Sequence, residues 1–216
     1  MYRIFLDIHT HKKGIPGSIY NKPPEGAIPL QSFSWGIHPW DLDQGWEKEL
    51  DKIEMQMKLE NLLAIGECGF DLIKGPVPSL QKEAFLAQTK LAEQYGLPVI
   101  LHCVKGFHLI QEYFKKNEPT PAIIWHGYNQ KTEIAKSLIS YPIYFSFGKA
   151  LLDGDSNAQK WLKICPLERI FFETDDAEIE IFSIYEQASL ILQLPIDNLA
   201  KQVSQNWNSI SKRKIT

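Results

Sequence analysis

Cysteine is scarce: Cys68, Cys103 and Cys165 are the three in 216 residues. An odd number at wide spacing excludes a disulfide framework, and the lack of any CxxC argues against a thiolate zinc site. Reduced thiols in a cytoplasm are the expectation. No apolar run approaches the roughly 20 residues of a membrane span, so no membrane partner is expected. The opening Met1-Tyr2-Arg3-Ile4-Phe5-Leu6-Asp7 is too short an apolar stretch for a signal peptide. Charge of one sign is also missing. The chain has 23 Lys and Arg against 26 Asp and Glu, a net charge of −3. Bulk charge therefore makes no case for nucleic-acid binding, and any such contact needs a local basic rim. There is no low-complexity tract, charge block or internal repeat.

What is present is an alternation of element types. Apolar, β-branched or aromatic runs at 3–8, 32–37, 62–65, 98–101, 122–125, 143–147 and 169–172 read as strands buried on both faces. Helical patterns lie at 46–60, 79–95, 107–116, 130–140, 155–165, 178–194 and 197–210. Ser79 and Asp197 are candidate N-caps, and Gly96 a stop. Such alternation makes βαβ units with right-handed crossovers. Seven clear strands favour a compact α/β barrel of TIM type, with room for distortion at a weak or missing second strand, over an open doubly wound sheet that would show the same alternation. Residues 18–21 are the candidate for that strand, but 14–30 holds four prolines and three glycines and reads mainly as loop. A chain of this size buries roughly 70% of its surface. A single domain over 1–216 is expected, near the lower size limit for such a barrel.

The polar residues keep register with the strands. Successive apolar runs stop at His9-Thr10-His11, His38, Glu67, His102, His126 and Glu173-Thr174-Asp175. In a parallel barrel the strand C-termini share one rim, so these groups converge. Five of the six histidines fall there, and His108 does not. Imidazole plus carboxylate without thiolate suits Zn, Mn, Fe, Ni or Mg. Five or six such ligands exceed the three that one catalytic zinc needs. They suit two divalent ions sharing a bridging carboxylate, an arrangement that activates water and steadies a leaving oxygen. Cys68 and Cys103 adjoin proposed ligands, but the pleat sends neighbours to opposite faces, so both read as packing residues.

At these residues the chain resembles the TatD family of metal-dependent hydrolases, within the amidohydrolase-like barrels. Asp7-Ile8-His9-Thr10-His11 looks like the family's DxHxH, and Gly36-Ile37-His38-Pro39 its GxHP. Ala64-Ile65-Gly66-Glu67-Cys68-Gly69-Phe70-Asp71 is similar to AIGExGLD. Gln81, Phe85 and Gln88 fit its next helix. Trp125-His126-Gly127 stands at HCFxG, Tyr144–Gly148 resembles YxSFxG, and Phe172-Glu173-Thr174-Asp175 matches LETD. Asn206-Trp207 sits at the terminal-helix pair. The resemblance implies that His9, His11 and Asp175 bind one metal, that His102 and His126 bind another, and that Glu67 bridges. Asp175 would also orient or deprotonate the attacking water. It implies metal-dependent deoxyribonuclease activity, often at strand ends. Three departures remove candidate substrate contacts and no ligand. Residues 12–31 replace a longer family segment, Val104 stands where the family has a basic residue, and Asp176-Ala177 is expected to lead straight into a helix.

On the substrate side, Lys105 and Lys149 are the candidate phosphate contacts, His38 a hydrogen-bond donor and Asp71 a positioning group. Lys12, Lys13, Lys74, Trp40, Phe70, Phe107 and Tyr128 share the proposed top loops. The expected activity is two-metal phosphodiester hydrolysis, with Glu67 and Asp175 as the catalytic carboxylates and DNA or a small phosphoester as substrate. No obligate protein partner is expected. The same centre could instead open a small amide, lactone or phosphoester, as in amidohydrolase- or PHP-like barrels. A third reading is a non-catalytic metal-binding interaction protein.

Overall fold

In the computed structural model, residues 5–216 are described; Arg3 and Ile4 of the first predicted strand lie outside them. The strands are β1 (Asp7–Thr10), β2 (Ser18–Asn21), β3 (Phe33–Trp35), β4 (Leu62–Asp71), β5 (Val99–Val104), β6 (Ile123–Trp125), β7 (Ile143–Phe147) and β8 (Ile170–Phe172). All neighbours pair in parallel and in chain order. A Thr10–Asp175 bridge joins the ends, with Asp175 N–H donating to His9 O at 2.9 Å and His11 N–H to Asp175 O at 3.0 Å. The eight strands thus form a nearly closed TIM-type barrel.

The helices are α1 (Trp46–Met55), α2 (Pro78–Tyr95), α3 (Phe107–Lys116), α4 (Thr132–Leu138), α5 (Asn157–Leu162), α6 (Ile181–Leu192) and α7 (Ile196–Ile210). Among the described residues none is long and apolar enough to cross a membrane. The connections β1–β2 and β2–β3 carry no helix, which is how so short a chain still closes a barrel.

Several expectations need correction. The second strand, expected weak or missing, is present at its candidate residues 18–21, paired Asp7 to Ser18 and Tyr20 to Phe33, with Ile19 fully buried. Its Pro- and Gly-rich flanks are loops around a real strand. β4 does not stop at Ile65 but runs on through Glu67 to Asp71. Gly66 and Gly69 carry φ of 138° and 142°, and the register with β5 slips between Ile65 and Cys68. This is a bulge inside a strand, and in sequence its glycines resemble a strand end. Ser79 and Asp197 lie inside the first helical turns, while Val77 and Pro195 hold the cap positions, so Pro at N1 or just before it starts each helix. The first helix ends at Met55, and a five-residue loop, 176–180, separates Asp175 from α6.

Close approach explains one motif glycine. A Cβ on Gly36 would sit 2.5 Å from Gly66 Cα, so β3 and β4 touch through backbone alone. Gly36→Ala must push β3 away from the strand that carries Glu67. Overpacking of this kind is expected to destabilise by about 3 kcal/mol and to lower Tm by about 6–12 °C. An unchanged melting curve would show that the strands can part freely.

α2 fixes two rim turns with buried glutamines. Gln81 accepts the Asp71 N–H at 2.8 Å and donates to Asp71 O at 3.0 Å. Gln88 accepts the Ile37 N–H at 2.7 Å and donates to Ile37 O at 3.3 Å. Asn206 of α7 donates to Leu167 O and Ile170 O, setting the start of β8. Cys68, Cys103 and Cys165 are buried and free. Burial pushes all three thiols up, Cys103 to about 12, so they stay protonated as packing groups.

Candidate metal centre

The barrel brings the rim anchors together around Glu67, which is 6% exposed, and its two carboxylate oxygens face different partners. Oε2 lies 3.4 Å from His9 Nε2 and 3.8 Å from His11 Nε2. Oε1 lies 2.7 Å from His102 Nδ1, 2.8 Å from His126 Nε2 and 3.4 Å from His38 Nε2. Asp175 Oδ1 stands 3.4 Å from both His9 Nε2 and His11 Nε2. Among the described residues, three sets have donor atoms mutually within 4.8 Å: His9–His11–Glu67, His9–His126–Asp175 and His38–Glu67–His102.

Outer groups hold these rings. His102 Nε2 faces Asp71 Oδ2 at 3.5 Å, which leaves Nδ1 as the lone pair toward the centre. Asp71 also accepts Trp40 Nε1–H at 2.7 Å and the N–H groups of Ile73 and Lys74. His126 Nδ1 faces Glu173 Oε1 at 3.5 Å, and that oxygen accepts the Gly127 N–H. Asn21 accepts the Glu67 N–H at 3.2 Å and donates to Glu67 Oε2 at 3.4 Å. Asp7 accepts the N–H groups of His9 and Thr174 and the Thr174 hydroxyl, tying β1 to the Asp175 turn. Burial pushes the Asp7 carboxyl up to about 6 against those hydrogen bonds.

Sequence reasoning gave Asn21, Glu173 and Asp7 no role at the centre. Glu173 and Asp7 stood inside quoted motifs, a usable signal. Asn21 sits on a short strand between loops and carried none.

His38 lies in the wall of the same centre. Its Nδ1 accepts the Trp40 backbone N–H at 3.1 Å, so in the neutral ring the proton is on Nε2. Lys149 is 69% exposed, 3.9 Å from Asp176 Oδ1, and lines a cavity of about 230 Å³ beside Asp175. The larger cavity, about 470 Å³, contains His11, His38, Glu67, His102, His126 and Asp175, with Asn21, Lys22 and Trp40 in its wall. Lys105, exposed after β5, lines neither.

The donor set fits a divalent ion. Both nitrogens of His9 are buried without a hydrogen-bond partner, although carboxylate oxygens stand 3.4 Å from Nε2. Burial alone would raise the Glu67 pKa, but His126, His102 and His11 hold it well below the usual carboxylate range. Burial would likewise raise Asp175, and His11 and His9 pull it below that range. A buried nitrogen without a partner, between ionised carboxylates, is what a cation would satisfy.

A nearly closed parallel barrel with a histidine–carboxylate cluster at its strand C-termini defines a TIM-type protein with a centre fit for divalent metal. The profile of the family described as TatD related DNase matches residues 28–211, and the chain belongs to that family. It is 26% identical over 148 residues to the 3'-5' ssDNA/RNA exonuclease TatD of Escherichia coli (strain K12), covering 65% of this chain and 55% of that one. It is 31% identical over 144 residues to an uncharacterized metal-dependent hydrolase, YabD, of Bacillus subtilis (strain 168), covering 65% and 56%. The chain thus spans about half the length of the curated relatives it matches. Its fold is that of YJJV, a TatD homolog from Escherichia coli, with a TM-score of 0.80 at 20% identity over 96% of this chain and 97% of that one.

Proposed function

We propose that the chain is a metal-dependent hydrolase of phosphodiester bonds, trimming single-stranded nucleic acid from an end. The split of Glu67 carries this reading. One oxygen faces His9 and His11 and the other faces His102 and His126, as a bridge between two divalent ions would require. In this reading His9, His11 and Asp175 hold one ion, and His102 and His126 hold the other. Identity among Zn, Mg, Mn, Fe and Ni follows from supply and geometry. When bound, such ions supply Lewis acidity, which acidifies water and offsets phosphate charge.

The chain's own groups do the rest. Asp175, held ionised beside His9 and His11, orients the attacking water by accepting a hydrogen bond from it. His38 donates from Nε2 to a phosphate oxygen. Asp71 and Glu173 keep His102 and His126 turned toward the centre. Lys149 attracts the flanking phosphate, and Lys105 adds charge at the rim. The relatives named as exonucleases of ssDNA and RNA support the substrate class, and the buried free thiols support a reducing compartment, the cytoplasm.

The test is a metal-supplemented assay on end-labelled single-stranded DNA, double-stranded DNA and RNA. Progressive shortening of the single strands, abolished by EDTA, is expected. Turnover of an amide or lactone with no cleavage of any polynucleotide would replace this reading.

A further inference from the structure

Trp40 differs from the other five tryptophans. Trp35, Trp46, Trp125, Trp161 and Trp207 are at most 6% exposed, whereas Trp40 is 52% exposed. It also lines the 470 Å³ cavity, beside the histidines. What sets this indole apart is that its exposed part belongs to the wall of the cavity that holds the histidines and carboxylates.

The ring is held still before anything binds. Its Nε1–H is committed to Asp71 Oδ2 at 2.7 Å. His38 stands edge-on to it, with ring centroids 4.7 Å apart at 82°. The Lys74 ammonium lies 4.2 Å from the ring centroid. The backbone is a 3-10 turn, Pro39–Asp41, with its first φ fixed by proline and His38 as its cap. The polar edge is thus satisfied by Asp71, the Lys74 ammonium covers part of the ring, and half of the residue stays open to the cavity. A pre-immobilised aromatic plate loses little entropy on binding.

We infer that Trp40 is the plate on which the base next to the hydrolysed phosphodiester stacks, with Lys74 beside it for the adjoining phosphate. This rests on the hydrolase reading above and specifies its substrate as base-bearing. The charged centre can hold any phosphate; an aromatic wall distinguishes a nucleotide from a plain phosphoester. Stacking also tolerates every base, as an end-trimming enzyme needs.

The test uses the Mn²⁺-loaded 216-residue chain, fluorescence anisotropy and oligomers whose 3′ linkages are cleavage-resistant phosphorothioates. The probes are a 5′-labelled oligothymidylate and the same oligomer with its last two 3′ nucleosides replaced by abasic tetrahydrofuran. Trp40→Ala should weaken the base-bearing oligomer by about 5- to 100-fold. Trp40→Phe, which keeps a ring and loses the N–H, should weaken it by no more than about threefold. The abasic oligomer should bind wild type and Trp40→Ala alike. KM for cleavage in added Mn²⁺ should follow the same order. Equal losses on both oligomers would mean that the ring only covers Asp71, and no loss on either would remove it from the substrate path. Both results leave the nuclease reading standing if wild type still cleaves. A wild type that hydrolyses bis(4-nitrophenyl) phosphate but neither binds nor cleaves any oligomer overturns that reading and the stacking role together. Circular dichroism of each variant checks the fold.

Discussion

Glu67→Gln is expected to bind less than one equivalent of divalent metal and to lose turnover by about 10²–10⁴, the several kcal/mol of charge stabilisation that metal supplies at tenfold per 1.4 kcal/mol. The amide is nearly isosteric, so the barrel should persist in far-UV circular dichroism. It changes the charge at the point where both sides of the centre meet. Oε2 toward His9 and His11 and Oε1 toward His102 and His126 belong to one group, so one substitution should disable both halves. Removing a partner from a buried charge cluster also costs about 3–5 kcal/mol, so Tm should fall. Metal content by mass spectrometry after reconstitution, with calorimetric titration, decides the matter. Unchanged stoichiometry would remove Glu67 from the centre.

Acidification should weaken metal binding steeply, because the metal-free cluster holds protons. Burial would lower His9 and His126, but hydrogen bonds and charge from Asp175, Glu67 and Glu173 leave both raised. Donation from its ring N–H to Asp175 and Glu67 pushes His11 up to about 9. Metal takes the neutral imidazole, so each ion must displace protons. The sign follows: affinity is highest above about 9 and falls as pH drops through the raised imidazole values. One proton displaced per ion gives tenfold per pH unit, so a change from pH 8 to pH 6 should weaken binding by at least about 10². Titration in buffers of different ionisation enthalpy measures the protons released directly. A flat affinity across that range would contradict the protonated cluster.

The barrel and the rim were legible in the sequence for one physical reason. Strands buried on both faces are short and apolar, so the first polar group at the end of each stands out. His9, His38, His102 and His126 were found that way, whereas Asp175, third in its polar run behind the overlooked Glu173, was singled out by the resemblance; the barrel brings all five within a few ångströms of Glu67 or of one another. Glu67 itself was found although its strand was cut short, because Gly66 and Gly69 bulge β4 without ending it. What escaped was whatever depends on partners distant in the chain. Asn21 reaches Glu67 across 46 residues, Thr174 reaches Asp7 across 167, and no local pattern announces either. Asp71 was read as a positioning group on the substrate side, and its carboxylate faces His102 and Trp40. Helix starts were misplaced where proline stood in for a side-chain cap.

The two glutamines of α2 have a consequence for the shape of the mouth. Gln81 clamps the turn bearing Asp71, and Gln88 clamps the turn bearing His38. Seven residues of helix separate them, about 10 Å at 1.5 Å per residue. Helical pitch, a constant of the peptide backbone, therefore sets the gauge between two walls of the opening. Loops on either side can lengthen, shorten or change sequence without altering it. A rim gauged in this way can exchange one clientele of substrates for another while its width on that side stays constant.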